Sequence, residues 1–362
     1  MSTYNDLAAV ASAFEICGEF VSAEPFGSGH INDTFRVVFI DSGRRFRYIL
    51  QRVNNRVFKH PAALMRNIER VTSHLFAQTA DLPDRQRRVL TLIRTRDNSA
   101  FHVDGEGRVW RVYRYVENSQ AFDAVETPDQ AYEAGRAFGQ FQQLLAGLPA
   151  DQLQDTIPDF HHTPKRFAAL EQAIAADVAG RAASAKKEIA FALAHRSITG
   201  VLLDAQLPLR VTHNDAKFNN VLLDEKTGEA ICVIDLDTVM PGLAPYDFGD
   251  MVRTTTSPTQ EDERDLSKVT LQFHIFEALT RGYLRSANGF LTNAEKQLLV
   301  FSGKLITFEI GVRFLTDHLC GDTYFKVHRS EHNLDRCRTQ FKLVESIEQQ
   351  QDELERLVQS IG

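Results

Sequence analysis

No run of this chain approaches the roughly 20 consecutive apolar residues that a helix needs to cross a bilayer. The first residues, M-S-T-Y-N-D-L, also lack the basic end of a secretory signal, so a cytoplasmic protein without a membrane partner is expected. Cysteine is scarce. Cys17, Cys232, Cys320 and Cys337 are scattered without metal-type spacing and read as reduced thiols, Cys232 within a buried strand. Positive charge is not in excess either: 41 Lys and Arg face 48 Asp and Glu, a formal net charge of −7, which argues against a general nucleic-acid or anionic-membrane binder. The arginine-dense stretch 84–88 reads as solvated loop. Internal repeats and long disordered stretches are missing, the alanine-rich segment 173–187 reading as plain helix. Nothing points to an obligate protein partner. What remains is a 362-residue chain with 43% apolar residues, long enough for two domains and an ample core.

The pattern changes once along the chain. From about residue 23 to 116, β-prone stretches at 34–40, 46–53, 89–93, 101–103 and 108–116 are punctuated by Asp-Ser-Gly and Asp-Gly-Glu-Gly turns. One predicted helix, 61–77, interrupts them; it starts at Pro61 and sets Leu64, Ile68, Val71 and Leu75 on one face. After Glu117 the pattern turns helical, with helices predicted at 128–145, 164–178, 182–203, 261–287 and 293–319. The expected fold is α+β and two-lobed: a small antiparallel sheet with one crossing helix over residues 1–117, and a larger, mostly helical lobe over 118–362.

The eleven residues V-T-H-N-D-A-K-F-N-N-V, 211–221, carry the chemistry. They set a carboxylate, an ammonium and an amide at the spacing phosphoryl transfer uses. Asp215 can accept a hydroxyl proton, Lys217 can reach phosphate oxygens, and Asn220 can hold a metal ion. His213 is expected to donate a ring N–H that holds the loop. Fourteen residues after Lys217, the apolar run I-C-V-I begins and ends in Asp235. Runs 220–224 and 230–234, separated by Glu225-Lys226-Thr227-Gly228, form a predicted hairpin. Centred on that turn, Asn220 is expected to face Val233, with Asp235 returning beside Phe218. An amide oxygen and a carboxylate are hard ligands that suit magnesium together with the phosphate oxygens of ATP.

Asp247-Phe248-Gly249 spells a protein-kinase metal motif, but it lies 32 residues after Asp215, whereas Asp235 lies 20 after it and closes the hairpin. Asp235 is therefore the expected metal ligand. Asp237, on a continuing strand, would point the same way and reach metal or water. The segment 112–117 joins sheet to helices, so the backbone at Tyr115 and Val116 is expected to meet an adenine edge. Gly27-Ser28-Gly29 is flexible enough to fold over phosphates with its backbone donors.

The strings H-N-D-A-K-F-N-N and V-I-D-L-D resemble the catalytic loop and metal-binding strand of the aminoglycoside phosphotransferase and choline kinase superfamily, relatives of protein kinases. Longer strings, G-S-G-H-I-N-D-T-F, I-L-Q-R-V-N, V-I-D-L-D-T-V-M-P-G, Y-D-F-G-D and R-F-L-T-D-H-L-C-G-D-T-Y-F, are similar to those of the N-acetylhexosamine 1-kinases. The resemblance implies an ATP- and magnesium-dependent phosphotransfer to the anomeric hydroxyl of GlcNAc or GalNAc. It also implies that Asp247 braces the catalytic loop and that His30, Arg313 and Tyr324 reach the sugar. Arg313 and Asp317, four apart on a helix, could equally form an ion pair. The kinase pattern is broken at the third strand, where its lysine is absent and Gln51 or Arg52 stands instead; Arg52, permanently cationic, is the choice for the phosphates. The lysine's glutamate partner is left between Asn67 and Glu69. Kinases of another sugar, an amino alcohol or an aminoglycoside are the alternative, followed by a silent nucleotide-binding regulator.

Overall fold

A computed structural model describes residues 4–27 and 31–361. Helix α1 (Tyr4–Ser12) leads into β1 (Glu19–Pro25), β2 (Asp33–Asp41) and β3 (Arg44–Val53), then α2 (Pro61–Gln78), the single-turn α3 (Arg85–Arg88), β4 (Leu92–Ile93), β5 (His102–Val103) and β6 (Val109–Arg114). The six strands form one antiparallel sheet in the order β1-β2-β3-β6-β4, with β5 also paired to β6. Side chains alternate across it with period two. Val37, Phe39, Tyr48, Leu50, Trp110 and Val112 pack with Leu7, Val10, Ala11 and Phe14 of the N-terminal segment on one face. Val53, Val109 and Tyr113 pack with Leu64, Ile68 and Val71 of α2 on the other. The second face is continuous with the helical lobe, because Phe141, Leu145, Val211, Leu236 and Val239 join the same apolar cluster. Which residue of β3 or β6 faces the cleft is thus settled by parity.

A short β7 (Ser119–Gln120) follows the junction, then α4 (Pro128–Leu145), α5 (Thr163–Ala176), α6 (Lys186–Ala194) and α7 (Val201–Asp204). Strands β8 (Arg210–Thr212), β9 (Val221–Asp224), β10 (Ala230–Val233) and β11 (Met240–Gly242) come next. The chain ends with α8 (Ala244–Thr255), α9 (Phe273–Ala287), α10 (Asn293–Gln297), α11 (Leu299–Leu319) and α12 (His332–Ile361). The two-lobed α+β architecture is the expected one. Helix α4 keeps the boundaries read from sequence because a capping box of Thr127 and Gln130, with proline at the first turn, starts it.

Several predicted helices are shorter than expected. The segment 182–203 is divided into α6, a 3-10 turn and α7, and the 261–287 helix starts only at Phe273. Before it, Asp265 turns its carboxylate onto the Ser267 backbone N–H and closes a 3-10 turn instead. Helix α12, 30 residues long, is not among the predicted helices; its mean hydropathy is low, and a stripe including Leu334, Phe341, Val344 and Ile347 buries it. Helix α1 and strand β1 are likewise unanticipated. No helix among the described residues is long and apolar enough to cross a membrane.

The helical lobe is centred on α4 against α9, whose backbones touch through glycines. A Cβ added at Gly135 would lie 2.1 Å from the Leu279 carbonyl oxygen, and one at Gly282 would lie 2.0 Å from that of Tyr132. Backbone cannot swing aside as a side chain can, so Gly135→Ala is expected to cost about 1–3 kcal/mol in urea unfolding through forced separation of the helices. Stability unchanged within about 0.5 kcal/mol would show that the contact is not a constraint.

Candidate active site

The catalytic loop hangs between two short strand pairs. Strand β8 ends at Thr212 beside β11, in register with Met240 opposite Thr212, and the loop then runs from His213 to a 3-10 turn, Phe218–Asn220, that opens β9. Asn214 sits at φ 62°, a left-handed geometry that asparagine tolerates better than most residues. Its side-chain amide donates to the carbonyls of Thr212 (3.2 Å) and Thr238 (3.0 Å), and its oxygen accepts from the Thr212 hydroxyl (3.0 Å). Gly242 lets β11 come this close: a Cβ there would stand 2.2 Å from Thr212 Oγ1.

Asp247, fully buried in α8, reaches the same loop. Its two carboxylate oxygens accept the backbone N–H groups of His213 (2.9 Å) and Asn214 (2.7 Å), and Gln142 Nε2 donates a third bond (2.7 Å). Tyr283 in turn donates its hydroxyl to Gln142 Oε1 at 2.6 Å, carrying the brace back to α4 and α9. His213 has no solvent exposure; Nε2–H donates to the Ile234 carbonyl (2.9 Å), and Nδ1 accepts from the Asp215 N–H (3.3 Å). That pattern fixes one neutral tautomer. The imidazole thereby bolts the Asp215 end of the loop to the strand that leads into Asp235.

The β9/β10 hairpin forms with a one-residue correction to the expected register. Ala230 pairs with Leu223, but a bulge follows, so that Cys232 pairs with Leu222 and Val233 with Val221. Asn220 consequently faces Ile234, whose N–H donates to its carbonyl at 2.9 Å, rather than Val233. A bulge adds a residue that turn symmetry alone does not reveal. Asp235 follows immediately, at φ 60°, and opens a 3-10 turn, Leu236–Thr238. The strand does not continue, so Asp237 does not follow Asp235 by strand parity.

The hairpin and the loop gather Asp215, Lys217, Asn220 and Asp235 at the base of the cleft. Lys217 Nζ lies 2.9 Å from Asp215 Oδ2. Enclosure by itself would raise the Asp215 carboxyl, but the adjacent ammonium outweighs it and holds the group below its ordinary value; Lys217 is raised in return by Asp215, against the effect of enclosure. Asn220 Nδ2 donates to the Asp215 carbonyl (2.9 Å) and carboxylate (3.3 Å), which leaves its amide oxygen as the acceptor. Asp235 is open to solvent on the cleft side and makes no hydrogen bond through its carboxylate among the described residues. Enclosure by the cleft walls, with Asp237 and Asp215 beside it, pushes its carboxyl up to about 6. An acid in that field is short of positive charge. An unpaired carboxylate and a free amide oxygen are a donor set that fits a hard divalent cation.

On the sheet side, parity overturns the choice of Arg52. Its guanidinium pairs with Asp33 and lies over the Trp110 ring at 5.9 Å, on the face away from the cleft. Gln51 faces the cleft instead. Its side chain accepts from Nε of Arg111 on β6 (3.0 Å), and Arg111 Nη1 reaches Asp237 Oδ1 at 2.5 Å. Asp237 also accepts from Asn32 Nδ2 at 2.6 Å. Sequence reasoning missed Arg111 and Asn32; the signal for the first was a lone arginine inside the apolar run V-W-R-V-Y. Asn67 and Glu69 separate as well: Asn67 is buried and donates to the carbonyls of Val239 (3.1 Å) and Gln154 (2.7 Å), while Glu69 pairs with Arg94 at the surface.

At the junction, Tyr115 packs against Phe26 (5.8 Å between ring centroids) and under the Arg47 guanidinium (4.4 Å). Val116 lies among Leu222, Ile231, Ile234 and Leu90, and its N–H has no hydrogen-bond partner among the described residues. Gly27 ends the β1 side of the loop at φ 79°. Ser28, Gly29 and His30 lie outside the described residues.

Beyond the catalytic loop, the Asn214 carbonyl accepts from His161 Nε2 (3.0 Å), whose Nδ1 meets Glu309 Oε1 (2.9 Å). Phe160, next in chain, stacks beneath the Arg313 guanidinium at 5.4 Å, with Phe325 on Arg313 at 5.7 Å. Arg313 does not pair with Asp317. The Asp317 carboxylate is filled by the N–H groups of Thr323, Tyr324 and Phe325 (2.9, 2.8 and 2.9 Å) and by Asn333, so it shapes the loop that presents Tyr324, 63% exposed. Arg166, hydrogen-bonded to the Phe160 carbonyl, is held below its ordinary value by burial and by Arg313 nearby.

Both His161 nitrogens face acceptors, so the ring is an imidazolium; burial opposes this, but Glu309 raises its pKa above 6.5 and is itself lowered from 4.5 by His161. A raised histidine stabilises fully below its unfolded value and loses that contribution as pH rises through the folded value. A depressed glutamate loses its contribution as pH falls. The wild-type melting temperature is therefore expected to decline from pH 6.5 to 9 more steeply than that of His161→Gln; parallel profiles would refute the charged pair.

Three solved structures share the fold over nearly the whole chain. An aminoglycoside phosphotransferase from Alicyclobacillus acidocaldarius subsp. acidocaldarius DSM 446 is 15% identical, covers 98% of this chain and 95% of its own, and superposes with a TM-score of 0.60. A microcompartment-associated aminopropanol kinase is 14% identical over 97% of this chain and 98% of its own, with a TM-score of 0.59. A spectinomycin phosphotransferase, APH(9)-Ia, in complex with ADP and spectinomycin, is 14% identical over 96% and 99%, with a TM-score of 0.61. At this identity the likeness speaks for the fold. The family model of the phosphotransferase enzymes matches residues 22–275, from the first strand of the sheet into α9. The chain belongs to the phosphotransferase enzyme family and is an ATP-dependent small-molecule kinase.

Proposed function

We propose that the protein transfers the γ-phosphoryl group of ATP to the anomeric hydroxyl of an N-acetylhexosamine, GlcNAc or GalNAc, giving the sugar 1-phosphate. The observation that carries the acceptor is the charge on the flank of the loop where His161 meets the Asn214 carbonyl. Arg313 lies between two aromatic rings and makes no ion pair among the described residues, Arg166 is near it, and the neighbouring Glu309 carboxylate is already engaged by His161 and Thr163. Two guanidiniums suit carbonyl and hydroxyl oxygens and repel an ammonium; Phe160, Phe325 and Tyr324 offer the apolar wall a sugar ring needs. The comparisons by themselves favour the broader alternative, a small alcohol of another class, since the solved relatives are named for aminopropanol and spectinomycin. The arginines weigh against those amines.

In this reading the adenine edge meets the backbone at Tyr115 and Val116, and Asn220 and Asp235 hold a magnesium ion. A magnesium ion held by these two residues would supply neutralising charge to the nucleotide's phosphates. Asp215 orients the acceptor hydroxyl and takes its proton as the sugar oxygen bonds to the γ-phosphorus. The bond from that phosphorus to the β,γ-bridging oxygen breaks, and ADP leaves. Lys217, paired with Asp215 in the free protein, turns to the transferred phosphoryl group; the exchange of partners frees Asp215, whose basicity the ammonium had suppressed. Positioning and charge neutralisation are the main demands, because the transition state is loose.

Asp215→Asn is expected to lower kcat at least roughly 10²-fold while leaving the melting temperature close to wild type. Near-normal turnover would contradict its role as base. ADP release measured with GlcNAc, GalNAc, aminopropanol and spectinomycin decides the acceptor, a sugar preference being expected. Phosphorus NMR of the product then separates an anomeric phosphate from a primary one.

A further inference from the structure

The third strand offers no cation to the cleft, since Gln51 faces it and Arg52 points the other way. A polyphosphate entering there would meet Asp215, Asp235 and Asp237 with Lys217 as the nearest compensation. One buried guanidinium changes this balance. Arg111 is paired across the strands with Gln51 in register, so it projects from the same face one strand over, and it is 1% exposed. Gln51 orients it by accepting from Nε, and Asp237, two residues after Asp235 in the 3-10 turn, accepts from Nη1. A desolvated charge is screened far less than a surface one and acts over several ångströms.

We propose that Arg111 supplies, from the sixth strand, the nucleotide-phosphate cation that the third strand lacks, with Asp237 in place of the helix glutamate as its anchoring acid. The arrangement rests on the kinase reading above and adds to it a residue that no sequence motif marks. Three features support it. Asn67, which occupies the inward position on α2, is a neutral amide committed to the backbone of Val239 and Gln154, so no acid from that helix is available to a cation on the third strand. Asp237 is tied to Asn32, immediately before β2, so the pair is anchored to the start of a sheet strand as well as to β6. The guanidinium fork is held on two sides, which fixes its charge in place before a nucleotide arrives. Arg111 is thus a positioning and charge-supplying residue, distinct from Asp215 and Lys217.

Calorimetric binding of ADP and of adenosine to the full chain, each with magnesium and with EDTA, tests this. Adenosine has no phosphate, so the ratio of ADP to adenosine affinity reports the phosphate subsite and is insensitive to general loosening of the lobe. Arg111→Met is expected to lower that ratio at least about 10-fold in both conditions, and Arg111→Lys to keep it within about 3-fold of wild type. Should the single variant fail to fold around an unpaired Asp237, the neutral pair Arg111→Met with Asp237→Asn is read against Asp237→Asn alone, below which its ratio is expected to fall at least about 10-fold. Asp237→Asn alone, which leaves the cation, is expected to hold or raise the ratio. An Arg111→Met ratio within about 3-fold of wild type, or a neutral-pair ratio within about 3-fold of Asp237→Asn, overturns the proposal, as does an Asp237→Asn loss equal to that of Arg111→Met. Wild-type protein that binds adenosine and ADP not at all would instead remove the kinase reading on which it rests.

Discussion

The carboxylate of Asp247 is the fixed point of this molecule. It takes two successive backbone N–H groups, at His213 and Asn214, and so imposes the turn from which Asp215 and Lys217 project. Buried N–H groups without a partner are costly, about 1–3 kcal/mol each, so the loop has few other conformations open to it. The acid is itself fixed by α8, by Gln142 on α4 and, through Gln142, by Tyr283 on α9. The close glycine contacts between α4 and α9 therefore reach the chemistry through two hydrogen bonds. A change in helix spacing would move the loop.

The turn that carries Asp235 is held from the opposite direction. Asp235 opens a 3-10 turn whose Asp237 is tied to Arg111 and Asn32, and whose following residue, Val239, gives its carbonyl to Asn67 on α2. The sheet lobe thus reaches across the cleft and grips the turn by side chains at three places. In protein kinases the comparable link runs between a third-strand lysine and a helix glutamate. Here the acid belongs to the turn and the base to the sheet, so the same contact that supplies charge also joins the lobes.

The rings and arginines stand on the other flank of the loop 213–220. His161 connects the Asn214 carbonyl to Glu309 on α11, and Phe160 beside it floors Arg313 from the same helix. Position and charge are coupled: the helix that carries the Arg313 guanidinium also carries Glu309, the carboxylate that keeps His161 protonated. Asp317, one turn further on, is spent on the loop bearing Tyr324, so Arg313 makes no ion pair with it.

Sequence by itself determined whatever local spacing encodes. The chain 211–221 with Asp235 held acid, lysine, amide and second acid in order, period-two and helical patterns gave the two lobes and α4, and the turn at Gly228 gave the hairpin. Tertiary structure decided everything that depends on which side of an element faces which neighbour. A single bulge moved Asn220 opposite Ile234, because a bulge leaves no compositional mark. Parity in a sheet with two covered faces sent Arg52 outward and Gln51 inward, a choice that α1, itself unrecognised, and α2 made by burying opposite faces. The Arg111–Asp237 pair joins residues 126 apart in the chain, and their attraction exists only once the lobes have met. Long-range charge pairing has no period to read, and that is why the chemistry of this site was legible while the support beneath it was not.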